Sequence, residues 1–159
     1  MRITALLENK LNIDEENERR IQEIFKSKNP QLIILVGLPG SGKSTFVNNY
    51  RLKKHGIVAS TDDIIERYAK EHDLNYSQAF AKVNFKDVDK EMRNNIIEAG
   101  KKGENIIVDQ TNISDKSRQS KIALVPKSYE KHAVVFWPDI QEVYRRLEKR
   151  EKETGKSIP

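Results

Sequence analysis

Short apolar runs alternate along this chain with longer stretches in which apolar residues recur at helical spacing. The run QLIILVG, residues 31–37, is almost continuously apolar and ends in glycine, the pattern of a central parallel strand buried on both faces. GIVAS at 56–60, NIIVDQTN at 105–112 and KHAVVFW at 131–137 predict three more strands. Between the strands lie helical patterns. Residues 13–27 place Ile21, Ile24 and Phe25 on one face, with Asn12 and Glu15 at capping-box spacing and Asn29-Pro30 as the stop. KSTFVNNYRLKK continues as a helix from the first of these strands, and Ser60 or Thr61 is placed to cap DDIIERYAKEH.

Asn75 and Gln78 open one long helix predicted to reach about Lys102, where Phe80, Val83, Val88, Met92 and Ile96 mark an apolar stripe and Gly103 closes it. Ser114 is placed to cap DKSRQSKIALV, and Asp139 with Glu142, just after Pro138, starts the basic helix IQEVYRRLEKREKE. This alternation predicts an α/β domain, a parallel sheet of about four to five strands flanked by helices, with its ligand outside the carboxyl ends of the strands. Residues 1–30 are read as an N-terminal helical extension and 31–159 as the domain proper, with a basic lid region near 140–159.

The turn after the first strand carries the chemistry. VGLPGSGKST holds the spacing Gly37-x-x-x-x-Gly42-Lys43-Ser44, a P-loop lying between a predicted strand and a predicted helix, which is the context its mechanism requires. Gly37, Gly40 and Gly42 let the backbone wrap closely enough for successive N–H groups to face a polyphosphate. Lys43 is suited to neutralise the β and γ phosphates, and the Ser44 hydroxyl to ligate Mg2+, which needs few protein ligands beside phosphate and water. The expected nucleotide-binding set is Gly37, Pro39, Gly40, Ser41, Gly42, Lys43, Ser44 and Thr45, in a P-loop NTPase fold. The guanine-reading pattern Asn-Lys-x-Asp is absent, which favours ATP over GTP.

Composition narrows the setting. The 159 residues fit one domain, and 29 Lys plus Arg against 24 Asp plus Glu give a formal charge of +5, which favours an anionic partner. With no cysteine there is no disulfide framework, thiolate zinc site or cysteine nucleophile, and the expectation is a cytoplasmic protein without a membrane span. His55, His72 and His132 show no ligand spacing.

Because a P-loop serves switches, motors and kinases alike, the other strand ends must decide. Ser60-Thr61-Asp62-Asp63 places carboxylates at a strand-to-helix junction, expected beside the P-loop strand. Asp62 is read as a general base that orients an acceptor hydroxyl towards the γ-phosphate, and Asp63 as favouring the positive start of the helix. Asp109, after NIIV as in a Walker B strand, has two readings: a ligand of Mg2+ or its water shell, and a polar strand end bonded to the next turn. Arg146 and Arg150, four residues apart, share a helical face; by spacing alone they form either an arginine lid over the phosphate or a solvated basic helix with Glu148 and Glu151. Lys82, Lys86, Lys90 and Arg93 make a basic stripe suited to a nucleic-acid backbone, although interleaved Asp87, Asp89 and Glu91 suit a solvated face. Phe136 and Trp137 end a strand and are read as core or rim.

The order GLPGSGKST, STDD, DQTN and RRLEKR…GKSIP resembles the kinase domain of phage-type polynucleotide 5′-kinases and, in DQTNIS and GKSIP, the kinase-like domain of hnRNP U proteins. The resemblance implies that Lys43 and Ser44 hold the donor phosphates and magnesium, that Asp62 activates a 5′-hydroxyl, that Arg150 is a lid arginine stabilising the transferring phosphate, and that Arg146 is its neighbour. In the phage pattern an arginine three residues after the base contacts the acceptor's phosphate, whereas this chain has Ile65 there and Arg67 beyond it. Residues 1–30 have no counterpart in the pattern. The expectation is therefore an ATP- and Mg2+-dependent kinase of the 5′-hydroxyl end of DNA or RNA. A kinase of a nucleoside, sugar or other small alcohol is the alternative that Ile65 motivates, and a non-catalytic ATP-binding, RNA-associated module is the alternative that the hnRNP U likeness permits.

Overall fold

The computed structural model describes residues 2–7, 13–137 and 140–154. Five parallel strands form one sheet: β1 (Arg2–Leu7), β2 (Gln31–Val36), β3 (Ile57–Ala59), β4 (Ile106–Asp109) and β5 (Glu130–Trp137), in the order β1-β5-β2-β4-β3. The helices are α1 (Ile13–Lys26), α2 (Lys43–Asn49), α3 (Thr61–Glu71), α4 (Tyr76–Lys82), α5 (Phe85–Lys102), α6 (Asp115–Ile122) and α7 (Ile140–Thr154). This is the parallel α/β architecture of P-loop NTPases that the sequence pattern predicts.

The central strand β2 buries every one of its side chains, and its alternation divides the core. Leu32, Ile34 and Val36 join Ile64, Ile65, Tyr76, Val88, Met92 and Ile96 on the face covered by α3, α4 and α5. Ile33 and Leu35 point the other way, to Ile21 of α1 and to Phe46 and Val47 of α2, where Phe136 packs edge-on to Phe46 at 5.4 Å between ring centroids. Phe136 is thus core, as read, while the Trp137 side chain lies outside the described residues.

The structure differs from the sequence reading in four places. Arg2–Leu7 is a strand, registered along β5 from Arg2 opposite His132 to Leu7 opposite Trp137, so the N-terminal stretch supplies a strand as well as α1. The expected long helix from Asn75 is two: the Asn75–Gln78 capping box forms, but Val83 turns extended (φ −70, ψ 152) and Asn84 caps α5 by accepting from the Lys86 and Asp87 amides. That break divides the basic stripe, leaving Lys82 on α4 apart from Lys86, Lys90 and Arg93 on α5. The P-loop helix stops at Asn49, and a 3-10 turn at Leu52–Lys54 follows Arg51, whose φ is 53. Finally, β4 rather than β3 lies beside β2. Asp109 therefore ends the strand next to the P-loop strand, and Asp62 follows the one beyond it. The capping expectations at Asn12 and Asp139 fall outside the described residues.

Candidate active site

The carboxyl ends of β2, β3 and β4 meet at a cleft of about 750 Å3. Its wall includes Pro39, Gly40, Gly42, Lys43, Ser44 and Thr45 from the P-loop, Asp62 at the start of α3, Asp109 at the end of β4, and Arg150 from α7. The loop bends as its glycines allow: Gly40 (φ 79) and Gly42 (φ 104) take left-handed conformations that residues with a Cβ rarely adopt. Gly37 and Ser41 lie behind the wall. A Cβ on Gly37 would come within 2.6 Å of the Ser41 hydroxyl, and that hydroxyl is buried. These two residues shape the loop from beneath rather than facing the cleft.

Lys43 is only 9% exposed, and its ammonium donates to the carbonyls of Gly37 at 2.6 Å and Leu38 at 3.0 Å. Burial holds it below the usual lysine range; Asp109 and then Asp62 pull it back up, and Arg150 pushes it down. The three side chains therefore act electrostatically on the P-loop lysine from separate elements. For magnesium, a Ser44 hydroxyl and an Asp109 carboxylate on one wall form the hard-oxygen pair that this ion accepts beside phosphate oxygens, so the residues present fit it. α7 brings Leu147, Lys149, Arg150 and Glu153 to the same cleft, whereas the Arg146 side chain lies outside the described residues.

Asp62 is set by its helix and by a tyrosine. Ser60 caps α3, accepting from the Asp63 amide at 3.4 Å, and the Tyr76 hydroxyl donates to Asp62 Oδ1 at 2.5 Å. Burial, followed by that hydrogen bond and the carboxylate charge, pushes the Tyr76 phenol far above its ordinary value, so it remains a donor. Tyr76 was not singled out from the sequence: the Asn75 capping box places it in the first turn of α4, but nothing local marks its partner 14 residues earlier.

The DQTN segment fastens three strand ends together. Gln110 Nε2 donates to Thr61 Oγ1 at 2.7 Å, the Thr111 carbonyl accepts from the Gly37 amide at 3.0 Å, and Asn112 Nδ2 donates to the Leu35 carbonyl at 2.8 Å. Asn112 adopts φ 50, a conformation asparagine tolerates better than most residues, and is 1% exposed. Lys121 of α6 donates to its Oδ1 at 2.8 Å and to Ser117 Oγ at 2.7 Å. An asparagine after a strand is a residue type that tolerates positive φ, but nothing local in the sequence marks its partners Leu35 and Lys121. Ile65, by contrast, is buried in the core at 2% exposure, and Arg67 turns away to Glu91, at 2.8 and 3.0 Å from its two carboxylate oxygens.

Residues 32–159 match the model of the AAA domain family. This chain belongs to that family. A putative bifunctional polynucleotide phosphatase/kinase of Acanthamoeba polyphaga mimivirus is 42% identical over 59 residues, 36% of this chain and 14% of that protein. A chain in the structure of the Pnkp1/Rnl/Hen1 RNA repair complex superposes with a TM-score of 0.65 at 28% identity, covering 84% of this chain and 41% of that one. A second structure of the Pnkp1/Rnl/Hen1 complex gives 0.57 at 26%, covering 74% and 39%. The chain thus spans less than half of each of these relatives. The resemblance to polynucleotide kinases, read first from four short motifs, is shared by these comparisons: this is a polynucleotide-kinase-like P-loop domain. Among the described residues, no helix is long and apolar enough to cross a membrane.

Proposed function

We propose that this AAA domain transfers the γ-phosphate of ATP to the 5′-hydroxyl end of a polynucleotide. The observation that carries the reading is one cleft wall shared by the P-loop, Asp62, Asp109 and Arg150. A P-loop alone grips phosphate; a carboxylate across the same cleft gives an acceptor hydroxyl somewhere to leave its proton. In the reaction the acceptor oxygen bonds to the γ-phosphorus, the bridging bond to the β-phosphate breaks, ADP leaves, and the hydroxyl proton passes to Asp62. Lys43 and the backbone of Gly40 and Gly42 hold the donor phosphates, and Arg150 stabilises charge on the group in transit. Ser44 and Asp109 would hold Mg2+, which when bound neutralises charge on the phosphate oxygens.

The relatives favour a nucleic-acid end as acceptor, two being chains from an RNA repair complex and one being named as a polynucleotide phosphatase/kinase. In this reading residues 31–159 carry the chemistry, with the region near 140–159 as a lid that includes Arg146, while residues 1–30 add β1 and α1. A cytoplasmic setting, expected from the lack of cysteine, belongs to the same proposal. A second reading, transfer to a nucleoside or other small alcohol, is favoured by Ile65 being core and by Arg67 being held by Glu91. Labelled ATP offered to a 5′-hydroxyl oligonucleotide and to a panel of small alcohols separates them. Label on the oligonucleotide supports the first reading, label only on small alcohols the second, and ATP binding with no product on any acceptor supports a non-catalytic module.

A further inference from the structure

Tyr76 begins a run of aromatic rings leading from Asp62 to the surface. Its centroid lies 6.0 Å from that of Phe80, which in turn lies 4.6 Å from that of Phe85. Exposure rises along the run, from Tyr76 at 7% through a half-buried Phe80 to Phe85 at 50%. Tyr76 and Phe80 line the cleft that holds Asp62 and Lys43.

Packing explains the inner end of this run and not the outer one. Tyr76 belongs to the core cluster and Phe80 borders it, but half of Phe85 stays in water. The start of α5 has no need of a phenyl there, since Asn84 already caps it. Exposed Lys82 follows Phe80 by two residues and exposed Lys86 directly follows Phe85, so the two lysines flank the helix break at Val83 and Asn84. Asp87, in the first turn of α5, offsets one of the two charges and leaves the corner cationic.

We propose that the corner formed by Phe80, Phe85, Lys82 and Lys86 receives the acceptor strand. The end bases of a single-stranded nucleic acid stack on the two phenyl rings while the lysines meet its phosphates, directing the terminal hydroxyl inward along Tyr76 to Asp62. This rests on the reading of Asp62 as the group that faces the acceptor. Aromatic faces accept any base and lysines any phosphate, so the site selects single strands without reading sequence. It also offers a phosphate contact in place of the arginine that Ile65 displaces.

Binding of a 3′-fluorescein, 5′-hydroxyl single-stranded oligonucleotide to the full chain, followed by anisotropy without ATP, tests the proposal independently of catalysis. Phe85→Ala should weaken binding roughly five- to tenfold, and Phe85→Trp should restore it, which a role in folding alone would not predict. The double variant Lys82→Ala, Lys86→Ala should flatten the dependence of log affinity on log salt by about 1.4. Unchanged affinity in Phe85→Ala together with an unchanged salt slope overturns the proposal, as does a wild-type chain that does not bind the oligonucleotide. Binding lost in Phe85→Ala from a wild-type protein that transfers no phosphate supports the strand site and defeats the kinase reading. Transfer to an oligonucleotide that is indifferent to Phe85 does the reverse.

Discussion

The Tyr76 hydroxyl lies 2.5 Å from Asp62 Oδ1, joining α4 to the carboxylate placed across from the P-loop. A hydrogen bond to a charged group contributes roughly 1.5–3 kcal/mol, and here it also fixes the rotation of the carboxylate that we propose takes the proton. Tyr76→Phe keeps the ring in the core and removes only the donor. Its kcat for transfer should fall about tenfold or more while the KM for ATP changes little, as steady-state kinetics would read. A mutant that loses ATP affinity and keeps kcat would show that Tyr76 acts on the donor side instead.

The Asn112 clasp should govern stability. Asn112→Ala removes the partner of the Leu35 carbonyl and of the Lys121 ammonium, all in a buried setting, and puts a less tolerant residue at φ 50. Leaving a carbonyl and a charge underbonded should cost about 3 kcal/mol and lower Tm by about 6–12 °C, measured by thermal denaturation. A shift below about 2 °C would mean that water replaces the lost bonds and that the clasp is not structural.

Lys121 gives a pH dependence with a definite sign. Burial, then the nearby Arg93 charge, hold its pKa below the ordinary 10.5, so the unfolded chain keeps this proton to higher pH than the folded one does. In the interval below 10.5 the unfolded state therefore binds more protons, and this residue's contribution to stability rises with pH. The Tm of the wild type relative to Lys121→Met should accordingly be higher at alkaline than at neutral pH. A difference that shrinks with pH would contradict the burial of an ammonium there.

Much of this site was legible because its signals are local. The P-loop announces itself by spacing, the caps at Ser60, Asn75 and Ser114 by residue type, and the β2 strand by its unbroken apolar run; each forms where expected. What escaped reading depends on partners remote in sequence. β1 owes its place to β5, more than 120 residues later, and a short terminal run carries no mark of that pairing. Strand order is likewise non-local, so Asp109 rather than Asp62 turned out to end the neighbour of β2. The break at Val83 was a missed local signal: Val83 and Val88 stand five apart, out of step with a helical stripe, and Asn84 is a capping residue. The bonds of Tyr76 and Asn112 could not be read from residue type alone, because both need their partners placed by the folded sheet.

Asp62 is the residue on which the proposed function turns, since in that reading it makes a phosphate-binding loop into a site for transfer. Asp62→Asn preserves shape and removes the proton acceptor. Measured side by side, ATP binding should stay within about twofold of wild type while transfer of labelled γ-phosphate to a 5′-hydroxyl oligonucleotide falls by roughly 10²–10⁴. Transfer at the wild-type rate in this variant would contradict the account.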